Sequence, residues 1–289
     1  TVKAGQTLAD GTYTVKATAA AGNATNAQTF TIDATASTIS SIAITSATGA
    51  ANNTLNVGDV VSVTVTFNEV VNVTGTPVIA LDIGGTAKNA TYASGTGSTA
   101  LVFNYTIEAA LTDADGISIG ANALAQVSSS TIKDVAGNTA TITHSAVAAN
   151  SSYKVDTTSP PNPSAALNSG SDLGTSNNIS NDTTPTIDVT LGSNTLANDT
   201  VYLKLGSTVL AQKTLSSDDI TNGSVSLTSS ALSAGSHTLA VTIADNAGNE
   251  SSASNVSYTL DTTNNAPTVS GFSASATSVS FTATDADAE

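Results

Sequence analysis

Val61, Val63, Val65 and Phe67 alternate with Ser62, Thr64 and Thr66, so one face of this segment is apolar and the other hydroxylic. A period of two marks a β-strand with one buried face, because successive Cβ atoms point to opposite sides of the pleat. The alternation recurs at Leu101, Phe103, Tyr105 and Ile107, at Val201, Leu203 and Leu205, and at Leu239, Val241 and Ile243. Turn words separate the runs, among them Gly84-Gly85, Asn222-Gly223 and Ala234-Gly235. No segment keeps the helical period of about 3.6 residues. Short, β-branched strands spaced by turns predict an all-β chain of tandem immunoglobulin-like β-sandwiches arranged end to end.

A repeated word sets the boundaries. FTIDAT begins at Phe30, YKVDTTSP at Tyr153 and YTLDTT at Tyr258, each placing an aspartate at the same point: Asp33, Asp156 and Asp261. The separations, 123 residues from 33 to 156 and 105 from 156 to 261, each fit one sandwich of about 100 residues. Residues 34–156 and 157–261 therefore read as two complete domains, 1–33 as the last strands of a preceding domain and 262–289 as the first strands of a following one. The aromatic and aliphatic residues of each word face the core, which puts the Asp on the opposite side as the chain leaves. Prolines at 160, 161 and 267 stiffen the exits.

A second word, DVAGN from Asp134 and DNAGN from Asp245, forms turns; the opening segment has AAAGN from Ala19. In a sandwich of seven alternating strands the sixth runs opposite to the first, so the turn after it lies beside the point where the chain arrives. Asp33 should thus approach Asp134 and Asn138, and Asp156 should approach Asp245 and Asn249, while Asp261 awaits a turn beyond the fragment. Carboxylates about 4 Å apart repel by up to about 4 kcal/mol at an effective dielectric near 20. Oxygen donors of this kind are what Ca²⁺ takes, six to eight at about 2.3–2.6 Å. The competing interpretation is that Asp-x-Thr and Asp-x-Ala-Gly-Asn are self-bonded turns. Asp113 and Asp115 in TDADG, and Asp285 and Asp287 near the end, are weaker metal candidates.

Charge narrows the partners. The chain carries 22 acidic residues against seven lysines and no arginine, a formal net charge of −15. That disfavours nucleic acid and anionic membrane surfaces and favours hard divalent cations. No apolar run reaches the roughly 20 residues of a spanning helix. Cysteine is absent, which excludes disulfides and thiolate metal sites and fits an exported protein. With no initiating Met and no signal peptide, the chain reads as an internal fragment.

On these motifs the chain resembles the tandem bacterial immunoglobulin-like repeats of giant calcium-dependent RTX-type surface adhesins and biofilm-associated proteins. The stretch LNVGDVVSVTVTFNEVV with IALDIGG is similar to a longer variant repeat of those adhesins. The resemblance implies a non-catalytic extracellular stalk, exported by type I secretion, in which Ca²⁺ at the joints between neighbouring domains stiffens the array that projects a distal binding module. Two departures loosen the first joint in this reading: Ala19 replaces the turn acid, and Ala34-Thr35-Ala36-Ser37 after Asp33 lacks proline.

Catalysis is disfavoured. His144 and His237 fall in different domains, in Thr/Ser-rich strand segments, and no HExxH, nucleophile elbow or phosphate loop occurs. The rival function is a carbohydrate- or protein-binding module, or an accessory domain of a secreted polysaccharide-degrading enzyme. Sugar platforms use exposed aromatics, however, and Phe30, Phe67, Phe103, Tyr105, Tyr153 and Tyr258 fall on expected core faces, leaving Tyr92 and Tyr202.

Overall fold

The computed structural model describes residues 7–16, 22, 26–172, 177–263, 268–275 and 277–284. Ala19, Pro267, Asp285 and Asp287 lie outside the described residues. The chain divides into two compact units, Thr1–Thr157 and Thr158–Glu289.

Unit 1 opens with a hairpin of β1 (Gly11–Val15) and β2 (Gln28–Ile32). Then follow β3 (Ile39–Thr48), β4 (Thr54–Leu55), β5 (Val60–Thr74), β6 (Val78–Ile83), β7 (Thr86–Ser94) and β8 (Ser98–Thr106). Short strands complete it: β9 (Thr112–Asp113), β10 (Leu124–Ala125), β11 (Thr131–Asp134) and β12 (Lys154–Asp156). One sheet runs β10-β6-β7-β8-β5-β11, with β3 also paired to β5, and a second runs β4-β12-β9. The core lies between them, with Leu55 and Val155 of the small sheet joining Val61, Val63, Leu101 and Phe103.

Strand β5 organises this unit. Its fifteen residues are long enough for two partners on one edge: β3 pairs from Val60 to Phe67, and β11 pairs from Val71 to Thr74. Between them Asn68 is held by the incoming chain, its N–H donating to Thr38 O at 3.0 Å while its Oδ1 accepts from Thr38 N at 2.8 Å. The Gly84-Gly85 turn joins β6 to β7 with both φ angles positive, 56° and 85°. A Cβ at Gly84 would stand 2.0 Å from Thr112 O, so only glycine fits that close approach.

Unit 2 comprises β13 (Ser164–Leu167), β14 (Ile179–Ser180), β15 (Thr186–Thr190), β16 (Thr200–Leu205), β17 (Thr208–Thr214) and α1 (Ser217–Asn222). After these come β18 (Ser224–Thr228), β19 (Gly235–Ala244), β20 (Ser254–Leu260) and a hairpin of β21 (Thr268–Ala274) and β22 (Val279–Thr284). Sheet β13-β15-β18 faces sheet β14-β20-β19-β16-β17 across a core of Ile187, Val189, Leu203, Val241 and Tyr258. β14 pairs parallel to β20, and Tyr258 reaches back with its hydroxyl to Asp182 O. The turn after β19 lies beside the arriving chain, since Ser252 N donates to Asn162 Oδ1 at 3.0 Å.

The alternating runs are buried where the period places them: Val61, Val63, Val65, Leu101, Phe103, Val201, Leu203, Leu239, Val241 and Ile243 are all fully enclosed. Phe30 departs from its expected core position. It is 40% exposed and stacks on Tyr13 at 5.8 Å, because a two-stranded hairpin has no facing sheet to cover it. Asn222-Gly223 is not a hairpin turn but the end of α1, with Gly223 at φ 67° as its left-handed cap. That helix is one and a half turns long, too short for an apolar period; Ser216 and Asp219 form its capping box. His144 lies outside any strand, whereas His237 is in β19.

Two outcomes test the packing. Phe103→Ala should lower the unfolding free energy by about 3–5 kcal/mol in a denaturant titration, the cost of emptying a core ring site; a loss below about 1 kcal/mol would contradict its burial. The Lys213 ammonium, at 2.7 Å, together with the N–H and hydroxyl of Ser216, holds the Asp219 carboxyl down to about 2 from 3.8. A depressed carboxylate stabilises the fold above its unfolded value and loses that contribution as pH falls through the folded one. Acid unfolding between about 3.8 and about 2 should therefore flatten in Asp219→Asn.

Candidate metal centre at the start of the first sandwich

Position 69 of β5 falls on the same face as Val61, Val63, Val65, Phe67, Val71 and Val73, yet it holds glutamate. Directly across from Val71 in the β11 pairing stands Asp134, which is 2% exposed. The chain arriving from β2 brings Asp33 to the same place. Asp33, Glu69 and Asp134 each offer a carboxylate oxygen, and these oxygens lie within 4.8 Å of one another. Asn138 closes the group, its Nδ2 donating to Asp33 O at 3.1 Å and to Asp134 Oδ2 at 2.9 Å. The site therefore occupies the gap along β5 where β3 has stopped pairing and β11 has not begun.

Asp134 and Glu69 are shifted in opposite directions. Burial pushes the Asp134 carboxyl up, but the Asn138 side chain and the N–H groups of Asn138, Gly137 and Ala136 outweigh it and hold the group below its ordinary value. Glu69 is raised, first by burial and then by the negative charges of Asp33, Asp134 and Asp10. Like charges held this close repel, which is why the neighbouring carboxylates add to the upward push on Glu69. The ion pairs among the described residues, Lys88–Glu108, Lys204–Glu250 and Lys213–Asp219, involve none of the three. Asp10, at the start of the first hairpin, accepts from Ala34 N at 2.7 Å and from the Thr35 hydroxyl, fastening the segment that follows Asp33.

The two Asp-x-Ala-Gly-Asn words fold alike. Asp134 N donates to Asn138 O and Asp245 N to Asn249 O, each at 3.0 Å. Asp134 Oδ1 accepts from Gly137 and Asn138 N–H, while Asp245 Oδ1 accepts from Ala247 and Asn249 N–H. In both turns the Asn amide donates to Asp Oδ2 at 2.9 Å. The Asp-x-Thr words are strand-end turns: Asp33 Oδ1 accepts from Thr35 N at 3.2 Å, and Asp261 Oδ1 from Thr263 N at 2.9 Å. The Thr263 hydroxyl and N–H also lower the Asp261 carboxyl. Local hydrogen bonding thus accounts for Asp33, Asp134, Asp245 and Asp261, but not for Glu69.

The remaining candidates fall on several elements. Asp156 ends β12, half-buried, in unit 1, whereas Asp245 and Asn249 belong to unit 2. Asp113 is buried, its Oδ2 accepting from Gly84 N at 2.9 Å and its Oδ1 from Gly116 N at 2.8 Å, so it ties two turns together. Asp115 is exposed. Glu69 and Asp10 are absent from the sequence-based set. Glu69 carries its own signal, an acid interrupting an apolar stripe of period two; Asp10 carries only an Asp-Gly turn word. Tyr92 packs edge-on against Phe103 at 5.9 Å, and Lys204 sits 5.0 Å over the Tyr202 ring, so both aromatics have partners within the protein. Among the described residues no helix is long and apolar enough to cross a membrane.

Because the raised Glu69 is an acid, its ionisation costs the folded state. Its contribution is present below the unfolded value and lost as pH rises through the folded one. In chelator at neutral pH, Glu69→Gln should melt above the wild type, with the gap closing in acid. Equal melting temperatures at neutral pH would show that the carboxylates do not strain one another.

Residues 158–262 match the family model described as the bacterial Ig-like domain. Comparison with curated proteins gives no match. Among solved structures, the chain is similar to fibronectin(III)-like modules of CbhA from Clostridium thermocellum, at 11% identity and TM-score 0.35, covering 76% of this chain and 94% of that one. It is also similar to a tetra-tandem repeat in the extending region of a large adhesion protein, at 21% identity and TM-score 0.26, covering 97% of this chain and 72% of the other. A third is the BSP domain of a biofilm associated protein, at 17% identity and TM-score 0.24, of which the chain spans 29% while 74% of this chain is covered. The chain is an all-β protein with immunoglobulin-like architecture, and its stretch 158–262 matches the bacterial Ig-like domain family.

Proposed function

We propose that this chain is a non-catalytic extender segment of a bacterial extracellular adhesin, its joints stiffened by Ca²⁺. The observation that carries the reading is the convergence of Asp33, Glu69 and Asp134 where the chain enters the first sandwich. Oxygens held about 2.4 Å from a shared ion lie no more than about 4.8 Å apart, which suits the spacing of these carboxylates, and the all-oxygen donor set suits a hard cation. Asn138 would complete the site with Asp33. At the second joint Asp156 would play the part of Asp33, with Asp245 and Asn249 in the turn that folds like its counterpart. Asp261 would supply a third site with a following domain.

A bound cation would neutralise acids that otherwise repel and would fasten the linker to the β5 edge. Extracellular calcium modules bind at roughly 10⁻⁴ to 10⁻³ M. At ten times that dissociation constant, one ion stabilises its occupied state by about 1.4 kcal/mol. Several such joints in series would set the reach of a longer array. Location outside the cell and export by type I secretion rest on the motif resemblance. A non-catalytic role agrees with the placement of the two histidines, which bond main-chain groups of their own domains.

Small-angle scattering tests this reading. Chelation should shorten the maximum dimension of the wild type, and Asp156→Ala should reproduce part of that change with calcium present. An identical scattering profile with and without calcium would refute the stiffening role.

A further inference from the structure

Between Thr139 and Tyr153 unit 1 has no strand, only a strap pinned at intervals. It begins at a parallel bridge between Thr38 and Thr141, then meets Ile119 through an antiparallel bridge at Val147, with N–H···O distances of 3.0 and 2.8 Å. Between those points it departs from β3, leaving a groove of about 430 Å³ walled by residues 39–42 and 143–147. His144 fastens the strap at this groove. Its Nδ1 lies 2.8 Å from Ser145 O, a carbonyl that only accepts, so Nδ1 carries the proton. Nε2 is then a lone-pair acceptor, and it takes the N–H groups of Ala123 at 2.8 Å and Leu124 at 3.3 Å. The main chain of His144 is tied to the same place: its N–H donates to Asn122 Oδ1, and its carbonyl accepts from Asn122 N.

We propose that His144 is a pH-sensitive pin, fastening the strap to the β10 edge when neutral and releasing it when protonated. An imidazolium has a donor at each nitrogen, so Nε2–H⁺ would face two N–H donors in place of accepting from them. Neither the strap and β3 walls of the groove nor the facing segment 122–125 carries another ionisable side chain. No carboxylate on those elements is therefore placed to compensate the new charge. Release would free the strap along its run beside β3, whose other edge is held by β5.

Amide exchange by NMR on the full 289-residue chain tests this, at pH values on either side of the ring's protonation as its own ring shifts report it, corrected for intrinsic exchange. Protection at Ala123 and Leu124 should fall roughly tenfold or more on acidification while Val63 and Leu101 hold theirs. In His144→Gln, whose carboxamide oxygen accepts without titrating, the same amides should become insensitive to pH. Ring ¹⁵N shifts should report the Nδ1–H tautomer at neutral pH. Unchanged protection of Ala123 and Leu124 across a pH range in which the ring is seen to protonate would overturn the proposal. So would an Nε2–H tautomer at neutral pH, or an equal pH-dependent loss of protection in His144→Gln. Should that variant fail to fold, the wild-type exchange and ring shifts decide alone.

Discussion

A strand admits side chains on only two faces, and in β5 one of them packs into the core from Val61 to Phe67 and again at Val71. Val61, Val63, Val65, Phe67 and Val71 fill that face and are buried; Glu69 has no alternative to sharing it. A carboxylate carried toward an apolar interior loses hydration, which pushes Glu69 upward. The fold accommodates it by interruption. β3 has finished pairing at Phe67 and β11 starts at Val71, so the acid opens onto a gap at the sheet edge where the linker from β2 arrives. The length of β5, the gap and the acid form one device.

The turn words show how a residue can serve local structure and remain available to a ligand. Each Asp-x-Ala-Gly-Asn turn closes on its own aspartate through main-chain and Asn side-chain donors, and in the first turn those bonds hold the Asp134 carboxyl below its ordinary value despite its burial. A carboxylate oxygen has two lone pairs, so accepting a backbone N–H leaves capacity for a cation. Asn138 couples this turn to the main chain of Asp33 by a direct bond. Part of the attachment between linker and sandwich is therefore made by polypeptide alone, and a metal would add charge neutralisation to a contact that already exists.

The strand runs are readable because alternation is a local property with a strong physical cause, and the residues singled out by their period are buried in their sheets, Leu205 at a strand end being only partly so. Asp33 does lie beside Asp134 and Asn138, although the strands do not strictly alternate in direction, since β12 pairs parallel to β4 and β14 to β20. Phe30 was misplaced because burial needs a second layer, which a two-stranded hairpin lacks. The helix at Ser217–Asn222 leaves no periodic signal because its six residues are held by caps and one ion pair instead of an apolar period. Glu69 is inconspicuous because its neighbours in sequence are ordinary strand residues; only the stripe two, four and six positions away marks it.

From the amino-acid order alone come the all-β class, the core faces of the strands and the aspartates of the recurring words, because each depends on spacing along one chain. Which strands share an edge, where β5 is left uncovered, and that Glu69 and Asp10 join Asp33 and Asp134 there were decided by tertiary structure. Those facts require segments far apart in sequence to meet, and the energy that brings them together belongs to the packed core and to no single segment.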